Sequence, residues 1–146
     1  MYIVSVTRLR IRKWRYLLPF LYLTLLSQRQ ARRAQGNLSS SVKHDAHLVF
    51  WTITLWHDEH SMRAFRNHGA HMRAMPRLRD WCDEATYVHW EQDERAEAPD
   101  LSAAFEHLAR EGIVSRVKHP SPEHVSREFP APKSVSHDLA TSRPPR

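Results

Sequence analysis

Two histidines, His68 and His71, lie three residues apart where a predicted helix bends at Gly69. An imidazole titrates near neutral pH, so it can transfer protons, and its neutral nitrogen can also ligate iron. The spacing places the two rings about one helical turn apart. His68 and His71 are therefore candidates for acid–base chemistry. The alternative is that both cap a helix end or lie on its surface.

The segment His57-Asp58-Glu59-His60 contains residue types that ligate metals. It spans a predicted strand-to-helix corner, however, so the two imidazoles need not converge. Asp58 is explained as a helix N-cap, and Glu59 by its favourable interaction with the helix dipole. A metal also needs three or four ligands in a fixed geometry. We predict no metal site here.

Cys82 is the single cysteine of the chain, which rules out an internal disulfide and is typical of a reducing compartment. Asp80, Asp83 and Glu84 surround it in sequence and should raise the pKa of its thiol. The sequence therefore predicts a packing residue rather than a nucleophile.

An apolar run at residues 16–26 follows several basic residues, as in a signal peptide. It is too short for a membrane span, which needs about 20 apolar residues. Against a signal peptide, residues 1–12 alternate like a strand, Pro19 interrupts the run, and Ser27-Gln28-Arg29 is a poor cleavage region. We predict a cytoplasmic protein without a membrane span.

The net charge is +6, and part of it lies in a stripe near the start of the chain, formed by Arg8, Arg10, Arg12, Lys13 and Arg15. Alternate arginines on a strand usually form a solvated face, although they can also bind propionates, phosphates or nucleic acid. No helix-turn-helix pattern, RNA-binding aromatic signature or zinc-knuckle spacing is present, so dedicated nucleic-acid binding is not expected.

The elements that must position these residues follow from hydrophobic periodicity. Strands are predicted at 2–11, 38–44, 48–56 and 85–91. One helix runs from Pro19 to Ala34, and its first half, apolar nearly all round, is expected to be deeply packed. A second helical region starts after Asp58, bends at residues 67–69 and continues towards Trp81. In the strand at 48–56, the side chains of 49, 51, 53 and 55 should face opposite those of 50, 52, 54 and 56.

This order predicts an α+β, ferredoxin-like βαββαβ fold with a four-stranded antiparallel sheet and helices on one face. The other face would be a large apolar patch, and a second copy of the chain could cover it, so we expect a homodimer. Residues 1–92 form the predicted domain and 93–118 a linker with an extra helix capped by Asp100. Residues 119–146, rich in Pro, Ser and His, are a predicted disordered tail.

The stretch from Phe50 to His71, together with Met75-Pro76 and residues 81–84, resembles uncharacterised bacterial proteins related to the antibiotic-biosynthesis monooxygenases. Spheroidene-monooxygenase-like proteins lie in the same neighbourhood. The resemblance covers residues 1–92 and implies a dimeric α/β barrel. It implies less about activity, because the group holds cofactor-free monooxygenases, haem enzymes and proteins of no known activity.

The resemblance also implies roles for individual residues. Haem-using relatives supply an axial histidine from the helical layer, which makes His71 the first candidate for a haem ligand or a general acid or base. Trp56 lies where a tryptophan of haem-degrading relatives presses on the porphyrin, although a core or interface aromatic is the ordinary interpretation. A cofactor-free oxygenase would instead use polar side chains of the pocket, such as Thr52, Thr54 or His89.

Two functions follow from this. The first is a monooxygenase-like activity, with haem as one candidate cofactor, on a hydrophobic or aromatic small molecule. The alternative is a non-catalytic dimeric barrel that binds a small ligand.

Overall fold

The structure, a computed structural model, describes residues 1–93, 97–133 and 137–142. A single 3₁₀ turn, Trp14–Tyr16, leads into the first helix. The helices are α1 (Leu17–Arg33), α2 (Glu59–Arg66), α3 (Gly69–Trp81), α4 (Leu101–Glu111) and α5 (Pro122–Ser126). The strands are β1 (Tyr2–Ile11), β2 (Asn37–Asp45), β3 (Val49–Trp56), β4 (Cys82–Gln92), β5 (Ile113–Val114) and β6 (His137–Ser142).

The described strands form a six-stranded sheet in the order β5-β4-β1-β3-β2-β6, with every neighbouring pair antiparallel. Its four middle strands are those of the predicted βαββαβ unit, so the ferredoxin-like fold is confirmed. Two short edge strands, β5 and β6, extend the predicted four-stranded sheet. The sheet is open, and the strands of the described residues do not close into a barrel.

The central strand β3 has the two faces that its sequence predicts. Trp51, Ile53 and Leu55 pack into one core cluster, whereas Phe50 and Trp56 belong to separate clusters. The register places Trp56 opposite Ile3, and Thr54 opposite Ser5 on β1. Side chains of β3 therefore pack into the core on both sides of the sheet.

The sheet face away from α1, α2 and α3 is covered by α4 of the same chain, which corrects the expectation of an uncovered face. Val4, Trp51 and Ile53 of this face are fully buried, as are Ala104 and Leu108 of α4. The linker after β4 is long enough to bring α4 across the sheet, a placement that periodicity alone does not reveal. The prediction of a homodimer thereby loses the surface on which it depended.

The apolar first half of α1 is not deeply packed, which corrects a second expectation. Phe20 is buried, but Leu18 and Tyr22 are 77% and 64% exposed. The helix lies against the sheet and α3 along one side, and its other side faces solvent. Within the described residues, no helix is long and apolar enough to cross a membrane.

The arginines of the basic stripe that lie on β1, Arg8 and Arg10, are paired rather than solvated. The Arg8 guanidinium lies 2.7 Å from the Glu84 carboxylate, and both side chains are buried. Arg10 donates two hydrogen bonds, of 2.9 and 2.8 Å, to the carboxylate of Asp83. Acidic residues at the start of β4 therefore neutralise cations that the sequence suggests are exposed.

The segment after Lys118, predicted to be disordered, has defined structure where it is described. Ser121 caps α5 and donates a hydrogen bond of 2.9 Å to Glu84, and His124 is buried beside β4. Strand β6 pairs with β2. The contacts that order this segment lie far away in sequence, so its composition alone misses them. Residues 134–136 and 143–146 of the predicted tail lie outside the described residues.

Candidate active site

A cavity of about 550 Å³ lies between the sheet and the layer formed by α1, α2 and α3. The sheet contributes a polar floor, and the helices contribute mainly apolar walls. The floor residues are Ser5, Thr7, Thr52, Thr54, Tyr87 and His89; the walls include Phe20, Leu23, Met62, Phe65, Met75 and Leu78. A flat, partly polar organic molecule suits such a lining, because pockets bind through apolar area and are oriented by a few polar groups.

Trp56 ends β3 at one end of the cavity, and its side chain is fully buried. Its indole Nε1–H donates a hydrogen bond of 2.9 Å to the hydroxyl of Thr54, two residues earlier on the same face of the strand. Its ring lies 5.1 Å from that of Phe65. Trp56 is therefore held in one orientation by the strand below it and by α2 above it.

His71, in the first turn of α3, also lines the cavity, and its ring lies 4.9 Å from that of Phe65. The Nδ1 of His71 is 3.2 Å from the carbonyl oxygen of Arg66. A carbonyl only accepts hydrogen bonds, so this nitrogen carries the proton and Nε2 keeps its lone pair. Burial lowers the pKa of His71, the bond to the Arg66 carbonyl opposes that shift, and the positive charge of Arg66 adds to it. The ring is thus a neutral base near pH 7.

Gln30 of α1 fastens the corner between α2 and α3 that carries His71. Its amide nitrogen donates to the carbonyl oxygens of Phe65 and His68, at 3.1 and 2.7 Å. Its amide oxygen accepts a hydrogen bond of 3.1 Å from the backbone N–H of His71. Gly69 has a φ of +60°, and a Cβ there would lie 2.9 Å from the Gln30 amide oxygen. Both the backbone conformation and the close approach of Gln30 therefore favour glycine at this position.

The described residues that line the cavity include Arg66, Arg79 and Arg116 but no aspartate or glutamate. None of these arginines forms an ion pair within the described part of the chain. The surroundings of the cavity are therefore positive, which favours a ligand that is anionic or becomes anionic.

Comparison with known proteins places this cavity in a familiar fold. No protein-family model matches the sequence, and no curated protein matches it. Solved structures do match. An antibiotic biosynthesis monooxygenase superposes with a TM-score of 0.56 at 16% identity, covering 63% of this chain and 99% of that one. A conserved protein from Methanosarcina mazei superposes with a TM-score of 0.58 at 16% identity, covering 64% of this chain and 94% of that one.

A third structure, a cofactor-independent oxygenase from Streptomyces nogalater, gives a TM-score of 0.53 at 11% identity, covering 65% of this chain and 96% of that one. This chain has the fold of the antibiotic-biosynthesis monooxygenases. The resemblance inferred from residues 50–84 is confirmed at that level. Identities this low establish the fold and leave the activity to be argued from the site.

Within this fold, the sequence-predicted site residues separate into two groups. His71 and Trp56 both line the cavity, joined through the ring of Phe65 that lies between them. His68 is the exposed N-cap residue of α3 and does not line the cavity. His68 has an extended backbone conformation before the first helical residue, and the chain turns at Gly69, so the regular spacing of helical side chains does not extend to His68.

Thr52, Thr54 and His89, named from the sequence as polar pocket residues, all line the cavity. Gln30 and Tyr87 are residues that sequence reasoning missed. Tyr87 could have been found, because it shares a strand face with His89 two residues later. Gln30 lies in a polar stretch of α1 and gives no local signal.

Cys82 is fully buried at the start of β4. Burial, assisted by the negative charge of Asp83, raises the pKa of its thiol to about 12. The thiolate is therefore scarce at neutral pH, and Cys82 does not line the cavity.

Proposed function

We propose that this protein binds a hydroxylated aromatic molecule in the cavity and oxidises it with dioxygen, the substrate itself supplying the electrons. The observation that supports the proposal most directly is the environment of His71. This histidine is a neutral imidazole with its Nδ1 bonded to the Arg66 carbonyl, and its Nε2 has no hydrogen-bond partner among the described residues. It lines a cavity whose opposite side bears hydroxyl groups.

The chemistry assigned to His71 is proton removal. Nε2 accepts a proton from a CH₂ group that is conjugated through the ring system to a carbonyl group once this proton is lost, and the anion that forms carries its charge on that carbon and on the carbonyl oxygen. That carbon reduces dioxygen. One oxygen atom becomes a ketone on this carbon and the other leaves as water, so that R₂CH₂ and O₂ give R₂C=O and H₂O. No external reductant is needed, because the substrate loses four electrons and dioxygen gains four.

The other groups of the cavity support this reaction by position and charge. Hydroxyls of Thr52 and Thr7 on the sheet can donate hydrogen bonds to oxygen atoms of a bound ring. Arg66, Arg79 and Arg116 line the cavity with exposed side chains, and their positive charge favours the anion after His71 removes its proton, with an energy that solvent screening reduces. Phe65, which is only partly buried, offers a flat surface against which an aromatic ring can pack, and the buried Trp56 supports it from behind.

Haem is the second possibility that the resemblance raises, and the described residues fit it in two respects. A histidine whose Nδ1–H is held by a carbonyl presents Nε2 to a metal, as His71 does, and arginines at the cavity can pair with propionates. A bound haem would supply activation of dioxygen. The reaction proposed above does not depend on it, and the polar floor suits a substituted aromatic ring better than a porphyrin.

The proposal is tested by oxygen uptake with hydroxyanthrones, which have the required CH₂ group, and with hydroxynaphthalenes, which lack it, using protein purified from a haem-replete host. We expect uptake with at least one hydroxyanthrone and a decrease of about 10²–10⁴-fold in kcat for His71→Gln, the range for loss of a general base. His68→Gln is the matched control, because this neighbouring histidine is exposed and outside the cavity.

Three other results would count against the proposal. Equal loss in the two histidine variants would remove His71 as the base. Binding of the aromatic compounds without oxygen uptake would support the alternative, a non-catalytic ligand-binding protein. A Soret band that His71→Gln abolishes, with no activity before haem is added, would assign the oxidation to haem.

A further inference from the structure

An exposed apolar stripe follows the outer side of α1 and the 3₁₀ turn before it. Trp14, Leu18, Tyr22 and Leu25 form this outer stripe and are 74%, 77%, 64% and 56% exposed. Scattered apolar residues are normal on a protein surface, but four large ones in a row form a patch that needs an explanation. At about 1.5 Å per residue the stripe is roughly 16 Å long.

The outer stripe lies on the opposite side of α1 from the cavity. Spacings of four and three residues keep Leu18, Tyr22 and Leu25 on one face of the helix, and Trp14 precedes them in the 3₁₀ turn. Phe20, Leu23 and Ser27, which lie on the other face, line the cavity. The outer stripe is therefore neither part of the core nor part of the site described above.

Positive charges lie at both ends of the outer stripe. Lys13 and Arg15 lie next to Trp14 at its start. Three exposed cations follow its last residue, Leu25: Arg29, Arg32 and Arg33. The chain has no aspartate or glutamate before Asp45, over a stretch that carries nine lysines and arginines. Arg8, Arg10 and Arg12 are paired with carboxylates of the α3–β4 region, but the cations beside the outer stripe have no ion pair among the described residues.

We propose that the outer stripe docks on an anionic lipid surface, with α1 lying in the plane of the membrane interface. Leucine side chains would enter the acyl boundary, whereas tryptophan and tyrosine prefer the headgroup level. Arginines at both ends meet lipid phosphates. A membrane fits better than a second copy of the chain, because a two-fold pairing of this stripe would bring its cations close together.

Docking of this kind is peripheral, since α1 neither spans a bilayer nor leaves the fold. Its inner face remains on the sheet through buried Phe20 and Ala31. The cavity would then lie one helix diameter, about 10 Å, from the lipid surface. The negative surface potential of a cytoplasmic leaflet is the natural attraction for such a basic helix.

The test is co-sedimentation of the full chain with vesicles of phosphatidylcholine alone and of phosphatidylcholine mixed with phosphatidylglycerol. We expect binding only to the anionic vesicles, weakening as salt rises. Arg29→Gln with Arg32→Gln should weaken binding by roughly tenfold or more, because each cation near an anionic surface contributes independently. Leu18→Gln with Leu25→Gln should abolish it.

Matched controls use exposed residues elsewhere on the chain. Val125→Gln is the apolar control, and Lys118→Gln with Arg127→Gln is the charge control. Both should bind like the unmodified chain, and circular dichroism should show the same fold for every variant. Equal binding to neutral vesicles, equal loss in the controls, or no vesicle binding overturns the proposal. A dimeric mass that Leu18→Gln with Leu25→Gln converts to a monomeric one would assign the outer stripe to a second copy instead.

Discussion

The Nδ1 of His71 lies 3.2 Å from the carbonyl oxygen of Arg66, so the backbone of α2 selects the tautomer of a histidine on α3. Burial holds the pKa of this imidazole below its ordinary value of 6.5. The corner between α2 and α3 therefore sets both the position and the protonation state of His71. Gln30 of α1 stabilises this corner through hydrogen bonds to its backbone. This corner is the part of the cavity where a base is available.

The free energy of unfolding should depend on pH because the pKa of His71 is lower in the folded chain than in the unfolded chain. The unfolded chain binds a proton at this residue more readily than the folded chain. The His71 contribution is therefore fully present above pH 6.5 and is lost as the pH falls from 6.5 towards the lower folded pKa. Denaturant unfolding of the unmodified chain and of His71→Gln, compared between pH 7.5 and 5, measures this. A pH-independent difference between them contradicts it.

The hydrogen bond from Trp56 to Thr54 should contribute to stability. Thr54→Val preserves the shape of the side chain but leaves the indole N–H of a fully buried tryptophan without its acceptor. A decrease of about 1–3 kcal/mol in the free energy of unfolding is expected. Thr52→Val, on the same strand face but without this bond, should cost less. Similar losses in both variants would show that the bond is not the cause.

The ion pair between Arg8 and Glu84 should be the most sensitive charged contact. Both side chains are buried, and Glu84 also accepts a hydrogen bond from Ser121 before α5. Glu84→Ala leaves the Arg8 charge buried without a partner, so a loss of about 3–5 kcal/mol is expected. Because the Ser121 bond is lost too, limited proteolysis should cut near residue 121 faster.

The partly exposed pair between Arg10 and Asp83 provides the comparison for that measurement. Solvent screens it, so Asp83→Ala should destabilise the protein by less than Glu84→Ala. Two results would contradict the proposal that Glu84 holds α5 against the sheet. One is an equal loss of stability in the two variants, and the other is unchanged proteolysis near residue 121 in Glu84→Ala.

The mass of the full chain in solution should be that of a monomer, 17.2 kDa. The face on which a second copy could pack is filled by Ala104 and Leu108 of α4, both fully buried. Light scattering at micromolar concentration measures this directly. A dimeric mass would mean that a second copy displaces α4 or binds at another surface, and would support the homodimer that the sequence predicts.

Local patterns in the sequence determined the elements and their order. Alternation places Trp51 and Trp56 on opposite faces of β3, as the structure has them. The caps Asp58 and Asp100 accept hydrogen bonds from the backbone of Ser61 and Ala103, as predicted at the starts of α2 and α4. These features depend on neighbours within four residues, which a sequence displays directly.

Only the tertiary structure decided which of these elements meet. Arg8 and Glu84 are 76 residues apart, and nothing near either one indicates the partner. The same holds for α4 on the far face of the sheet and for α5 beside β4. His71 and His68 are the same residue type, and the sequence does not show which of them lines the cavity. The direction of α3 after the bend at Gly69 places only His71 there. Periodicity specifies the faces of an element, whereas pairing between faces depends on the path of the whole chain.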